Sequence, residues 1–170
     1  MKNKKIRNFQ IFSVIFTFTL GTLLHFLYEW TGYNQFIGSF SAINESVWEH
    51  LKLIFFPMLI TTIIGFFYIG KEKTNYLISK TIGIIVAITF TVVFFYTYSG
   101  ILGKNVAVID IGTFFVATIL GEITSYKLII NKTKFSNNIL ALIILAILLV
   151  CFILFTYITP RIGIFEEHNI

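Results

Sequence analysis

The stretch Asn138-Ile-Leu-Ala-Leu-Ile-Ile-Leu-Ala-Ile-Leu-Leu-Val-Cys-Phe-Ile-Leu-Phe-Thr-Tyr157 decides the fold class. It carries no charged side chain, and its length matches the about 20 apolar residues needed to cross the hydrocarbon core of a bilayer. Four more stretches meet the same criterion: Phe9 to Trp30, Ser46 to Ile69, Leu77 to Ser99, and Val106 to Ile130. The polar gaps between them leave no room for a separate soluble domain. The expectation is an all-α integral membrane bundle of about five transmembrane helices, with residues 1–170 forming a single membrane domain.

Composition agrees. Mean hydropathy is +0.86 and charged residues make up 12% of the chain, about half the usual share in soluble domains, which is near 25%. The net charge of +5 does not point to nucleic acid, because the basic residues lie in short segments between apolar runs. The bias toward Lys, Asn, Ile and Phe matches an AT-rich bacterial genome, so the expected location is the bacterial plasma membrane, with the lipid bilayer as partner. The single cysteine, Cys151, excludes an intramolecular disulfide framework and a multi-cysteine metal site, and reads as a buried apolar thiol.

Orientation follows from Lys and Arg. Lys2, Lys4, Lys5 and Arg7 precede the first span, Lys71, Lys73 and Lys80 lie in or beside the second loop, and Lys127, Lys132 and Lys134 surround the fourth. The opposite side has Lys104 and Arg161, while Lys52 falls inside a span. By the positive-inside rule the N-terminus is cytoplasmic and the C-terminus is outside. Trp30, Tyr33 and Trp48 then flank the first outer loop as interfacial aromatics. A cleavable signal peptide is disfavoured, since the first apolar stretch is far longer than the usual 7–15 residues and no small-x-small site follows it.

Helices in lipid meet through small and weakly polar residues. Every fourth position gives Ser13, Thr17, Gly21, His25 and Glu29 in the first span, and Glu45, Glu49, Leu53, Pro57, Thr61 and Gly65 in the second. The third gives Gly83, Ala87, Thr91, Phe95 and Ser99, and the fourth Thr113, Ala117, Gly121 and Ser125. The fifth has no such ridge and is expected at the periphery. Pro57 removes one backbone hydrogen bond from the second helix and can kink it.

Ionisable residues gather at one depth. With a rise of 1.5 Å per residue, His25 lies about 7 Å below Trp30, His50 about 6 Å below Ser46, and Asp110 about 9 Å below Lys104. Such residues inside a span cost at least about 2.5 kcal/mol each and by default mark function. His25, Glu29, Glu49, His50 and Asp110 are the candidate metal ligands, suited to a divalent cation such as Zn²⁺. Glu49, His50 and Asp110 are the candidates for acid–base catalysis. No H-E-x-x-H or comparable local motif fixes a coordination scheme.

A structural reading stands beside this one. Ser46-x-x-Glu49 fits a capping box, Asn44 offers an alternative cap, and Glu45 suits the positive end of the second helix. Lys52 is expected to pair with Glu49 or Asp110, or to snorkel outward. Glu122, about 18 Å along the helix from Asp110, pairs with Lys80 or Lys127, or serves as a second station on an ion or proton path. Gly32, Gly38 and the loop from Tyr33 to Ile43 form a re-entrant or an interfacial segment; both remain open. Glu166, Glu167 and His168 read as an exposed tail.

The stretch His25-Phe-Leu-Tyr-Glu29, then Asn44-Glu-Ser-Val-Trp-Glu-His-Leu-Lys52 and Phe55-Phe-Pro57, resembles a family of small multi-pass membrane proteins from clostridia and related bacteria, a domain of unknown function. The N-E-S-x-W-E-H-x-K motif carries the resemblance, which covers most of the chain. The tail after Pro160 departs from the family pattern, whose end is longer and proline-rich. The resemblance implies no activity; it implies that these motif residues belong together.

Three functions compete. The first is an outward-facing polar pocket among the first, second and fourth spans that binds a cation or runs metal-assisted or acid–base chemistry on a lipid or small molecule. The second is a small transporter or channel subunit using Asp110 and Glu122, which with five spans is expected to be a homo-oligomer. These two residues lie about 120° apart on the helix, which weakens a straight path. The third is a non-catalytic partner whose charged cluster is a structural ion-pair network. No Gly-rich phosphate loop or nucleophile motif is present.

Overall fold

The computed structural model describes residues 2–131 and 136–167. Lys132, Lys134 and His168 lie outside the described residues. Among the described residues, six α-helices and no strand form: α1 (Lys2–Trp30), α2 (Gln35–Gly38), α3 (Val47–Tyr68), α4 (Tyr76–Leu102), α5 (Ala107–Ile130) and α6 (Asn138–Tyr157). All but α2 are long and apolar enough to cross a membrane. Their bounds lie within a few residues of the expected spans, except that α1 starts earlier, its basic segment continuing the helix.

Local chemistry sets the ends. Ser46 caps α3 by accepting the Glu49 amide at 3.3 Å, and Asn137 caps α6 by accepting the Leu140 amide at 2.9 Å. Gly103 stops α4 in the left-handed conformation, φ +70°, which glycine adopts without the Cβ penalty.

The small-residue ridges face inward. Ser13, Thr17, Thr61, Gly65, Gly83, Ala87, Thr113, Ala117, Gly121 and Ser125 are all buried. α4 and α5 form the most extensive contact, while α1 packs on α3 and α5. A Cβ on Gly83 would stand 2.5 Å from the Gly121 carbonyl oxygen, so only bare backbone permits this approach. Gly21 serves α1 and α3 in the same way. Pro57 has no N–H for the Leu53 carbonyl four residues earlier, and that oxygen faces Gly21, where a Cβ would come within 2.5 Å.

α6 lies on the flank with Leu142, Ile143, Ile147 and Val150 exposed, as its lack of a small-residue ridge suggests. It is nevertheless tied to the core, because Phe152 and Thr156 are buried near its end. Trp48 differs from the interfacial expectation: its ring centroid lies 4.7 Å from Phe152 and 4.8 Å from Phe165. Trp30 and Tyr33 are exposed. After α6 the described residues, up to Glu167, form a strap packed on the start of α3. Phe165 is buried against Trp48, and Glu167 forms an antiparallel bridge with Ser46, although the Glu166 and Glu167 side chains are exposed.

Candidate functional site

The ionisable cluster expected from the sequence divides in two. The reason is the start of α3. Glu45 lies before it, in non-helical backbone, so it does not continue the Glu49 face. Its carboxylate turns instead toward His50 and His25, with Oε2 3.4 Å from His50 Nε2 and Oε1 4.0 Å from His25 Nε2. One ligand atom from each of His25, Glu45 and His50 lies within 4.8 Å of the other two. The imidazole rings are 5.2 Å apart.

His50 fixes the chemistry of this group. Its Nδ1 is 2.9 Å from the Ser46 carbonyl oxygen. A carbonyl only accepts, so Nδ1 carries the proton and Nε2 is the atom presented to Glu45. A bare Nε2 lone pair would repel the carboxylate. The contact is favourable with a proton between the two groups. The His50 hydrogen bond holds the Glu45 carboxyl below the usual carboxylate range, against partial burial, which pushes it up.

A cavity of about 340 Å³ opens beside this trio. Phe18, Phe26, Leu53, Ile54, Phe95 and Phe114 supply apolar walls, and His25, Glu45, His50, Asn105 and Asp110 are its main polar lining. Asp110 accepts a hydrogen bond from the Tyr98 hydroxyl, which itself accepts the Val106 amide at 3.2 Å. It also acts electrostatically on His50. Asp110 sits in the first turn of α5, where the helix dipole favours negative charge.

Glu49 goes elsewhere. It forms an ion pair with Lys52 at 2.5 Å, and both side chains are almost wholly buried. The Lys52 ammonium also donates to the Gly38 carbonyl at 2.7 Å and to Thr156 at 2.9 Å, while Glu49 accepts the Ile43 amide at 3.0 Å. This network ties the loop around α2 to α3 and α6, and every ammonium proton has a partner. Glu49 thus does not return to the Ser46 amide, which donates to Asn44 at 3.1 Å, so only half of the capping box forms. Glu29 is exposed and lines no part of the cavity.

Glu122 pairs with Lys80, its oxygens 2.6 and 2.7 Å from the ammonium, and the Gln10 side-chain oxygen is 3.4 Å from the same group. Lys80 therefore stands inside α4, fully buried, and not at a loop. This second buried pair lies far from the cavity, among α1, α4 and α5.

By its position before the second span, Glu45 reads from the sequence as a cap. A signal was present, since Glu45 and His50 sit in one short motif, but the helical spacing drew attention to Glu49.

Five helices long and apolar enough to cross a membrane, four of which line a histidine–carboxylate cavity, define a small all-helical protein. The sequence profile of a family of unknown function, DUF6512, matches residues 1–169, and the chain belongs to that family. No curated protein and no solved structure matches it.

Proposed function

We propose that the protein is a multi-pass membrane protein that binds a divalent transition-metal ion through His25, Glu45 and His50, with an open coordination position facing the cavity. The observation that carries this reading is the His50 imidazole, oriented through Nδ1 by a backbone carbonyl while Nε2 faces a carboxylate and a second imidazole. Metal-bound histidines are held in this manner by their outer partners. Two imidazoles and one carboxylate match a catalytic zinc set, which leaves the fourth position to water or substrate. Ligand atoms around tetrahedral zinc are about 3.3 Å apart at Zn–N bonds near 2.0–2.1 Å, so side-chain shifts of roughly an ångström close the site.

Such an ion lowers the pKa of bound water and supplies a nucleophile or a Lewis acid. Asp110, on the cavity wall with one oxygen held by Tyr98, is the base that takes a proton from the cavity. Glu49 and Lys52 are structural in this reading. The orientation with the N-terminus inside is supported by Lys4, Lys5, Arg7, Lys71, Lys73 and Lys127 at one end of the bundle, against Lys104 and Arg161 at the other.

Elemental analysis of the purified protein tests the proposal, beside Glu45→Gln, His50→Ala and Glu49→Gln variants. Near-stoichiometric metal in the wild type and its loss in the first two is the expected result. Metal absent from the wild type after growth with added zinc overturns it, as does metal retained by the Glu45 and His50 variants.

A further inference from the structure

The cavity has an opening on the flank of the bundle. Thr22 and Phe26 of α1, and Ala107 and Ile111 of α5, line it and are also exposed on the outer surface. Deeper along the same seam, Phe18 stacks on Phe114 at 5.7 Å and meets Phe115 edge-on at 5.1 Å, closing α1 against α5. The seam between the two helices is thus shut at mid-height and open toward the Trp30 end.

This shape restricts what enters. Between these apolar helix surfaces the surrounding medium for such a bundle is acyl chain, while the exposed Glu45 carboxylate marks the polar end of the cavity. The walls are mainly apolar, with Phe18, Leu53, Ile54, Phe95 and Phe114 among them, and the lining residues of α1 run from Phe18 to Phe26, about 12 Å along the helix. At about 340 Å³ the space is at the small end of ligand pockets, which run from about 300 to 1,000 Å³; it suits one alkyl chain. The polar groups stand together at one end of this apolar space. A divalent ion held there by His25, His50 and Glu45 keeps one positive charge at its open position, which takes an anionic oxygen as ligand, while Asp110 supplies the second negative charge of the cavity. The Leu53 carbonyl freed by Pro57 and the bare backbone at Gly21 border the same space.

We infer that the ligand of this site is a single-chain amphiphile with an anionic oxygen headgroup, entering sideways between α1 and α5, its chain against Phe18, Phe95 and Phe114 and its head at the metal. The inference rests on the metal reading above.

The test uses a photoactivatable alkyl phosphate and the zinc-loaded protein in phosphatidylcholine nanodiscs, with labelled residues located by mass spectrometry. Labelling is expected on Phe18, Thr22, Ile111 and Phe114 in preference to Ile143 and Ile147 of α6, which face outward on the other flank. Thr22→Trp and Ile111→Trp plug the opening from exposed positions and are expected to cut cavity labelling about tenfold, a loss of about 1.4 kcal/mol, with metal content unchanged. An unlabelled alkyl phosphate should compete, whereas inorganic phosphate and the matching alcohol should not. Equal labelling of α6 overturns the proposal, as does full competition by inorganic phosphate or by the alcohol. Bound metal without cavity labelling sinks the amphiphile and leaves the metal site standing. Cavity labelling on a protein that holds no metal sinks the metal reading and the headgroup contact together.

Discussion

Glu45 and Glu49 are four residues apart and carry the same side chain, yet their surroundings assign them opposite duties. Glu45 is 45% exposed, reaches two imidazoles and borders a cavity. Glu49 is buried, and its charge is spent on Lys52 and the Ile43 amide. The first prediction concerns acid. The folded-state pKa of Glu45 is depressed from 4.5 by the His50 hydrogen bond, so the stability it contributes is fully present above the unfolded value and is lost as pH falls through the lowered folded value. His50 and His25 are the titratable groups facing it. In the metal-free protein, thermal unfolding followed from neutral pH down to pH values below the carboxylate range should show a falling midpoint, and Glu45→Gln should flatten that limb. An unchanged acid limb in the variant would mean that the Glu45–His50 contact contributes nothing. The second prediction separates the two acids. Lys52→Met leaves Glu49 buried without its cation, at a cost of about 3–5 kcal/mol, while metal content per folded molecule stays at the wild-type level. Loss of metal without loss of stability would place Glu49, not Glu45, at the metal.

At the scale of the elements, contact between helices is governed by what is missing from their surfaces. Gly83 and Gly121 bring the α4 and α5 backbones together, and Gly83→Leu must push a side chain into the Gly121 carbonyl and Ser125. Overpacking of this kind costs about 1–3 kcal/mol, and the thermal midpoint is expected to fall accordingly; an unchanged midpoint would show that the helices part freely. The polar face of α1 behaves differently. Ser13 and Thr17 are fully buried, and their hydroxyls have no hydrogen-bond partner among the described residues. Replacing a buried group that has no partner removes a desolvation cost, so Thr17→Val is expected to leave the midpoint unchanged or raise it. A fall would reveal a partner for that hydroxyl, such as an internal water.

On the scale of the whole molecule, two buried ion pairs among the described residues tie the bundle together at different places: Glu49–Lys52 joins the loop around α2 to α3 and α6, and Lys80–Glu122 joins α4 to α5 with Gln10 of α1 beside it. Lys80→Met alone should destabilise by about 3–5 kcal/mol, because Glu122 is left buried without its cation, whereas the double change with Glu122→Leu should recover most of that loss. Measured unfolding of the two variants decides it; equal losses would mean that the pair itself, and not the uncompensated charge, matters.

The sequence by itself determined the five long helices, the inward direction of their small-residue ridges and the presence of ionisable residues near one end. These are local properties: hydropathy over about 20 residues, a period of 3.6 and the identity of each side chain are written along the chain. Tertiary structure alone decided which of those residues meet. Extended backbone at Ser46, before α3 begins at Val47, takes Glu45 off the Glu49 face and turns it to His25 on another helix. Lys80 sits near a loop in the sequence but is drawn inside by Glu122, a partner 42 residues away. Thr156, at the end of the most lipid-like helix, completes the Lys52 network from 104 residues away. Periodicity reports the face of a helix, but not the rotation and depth at which a second helix meets it, and the cavity exists only in that relation.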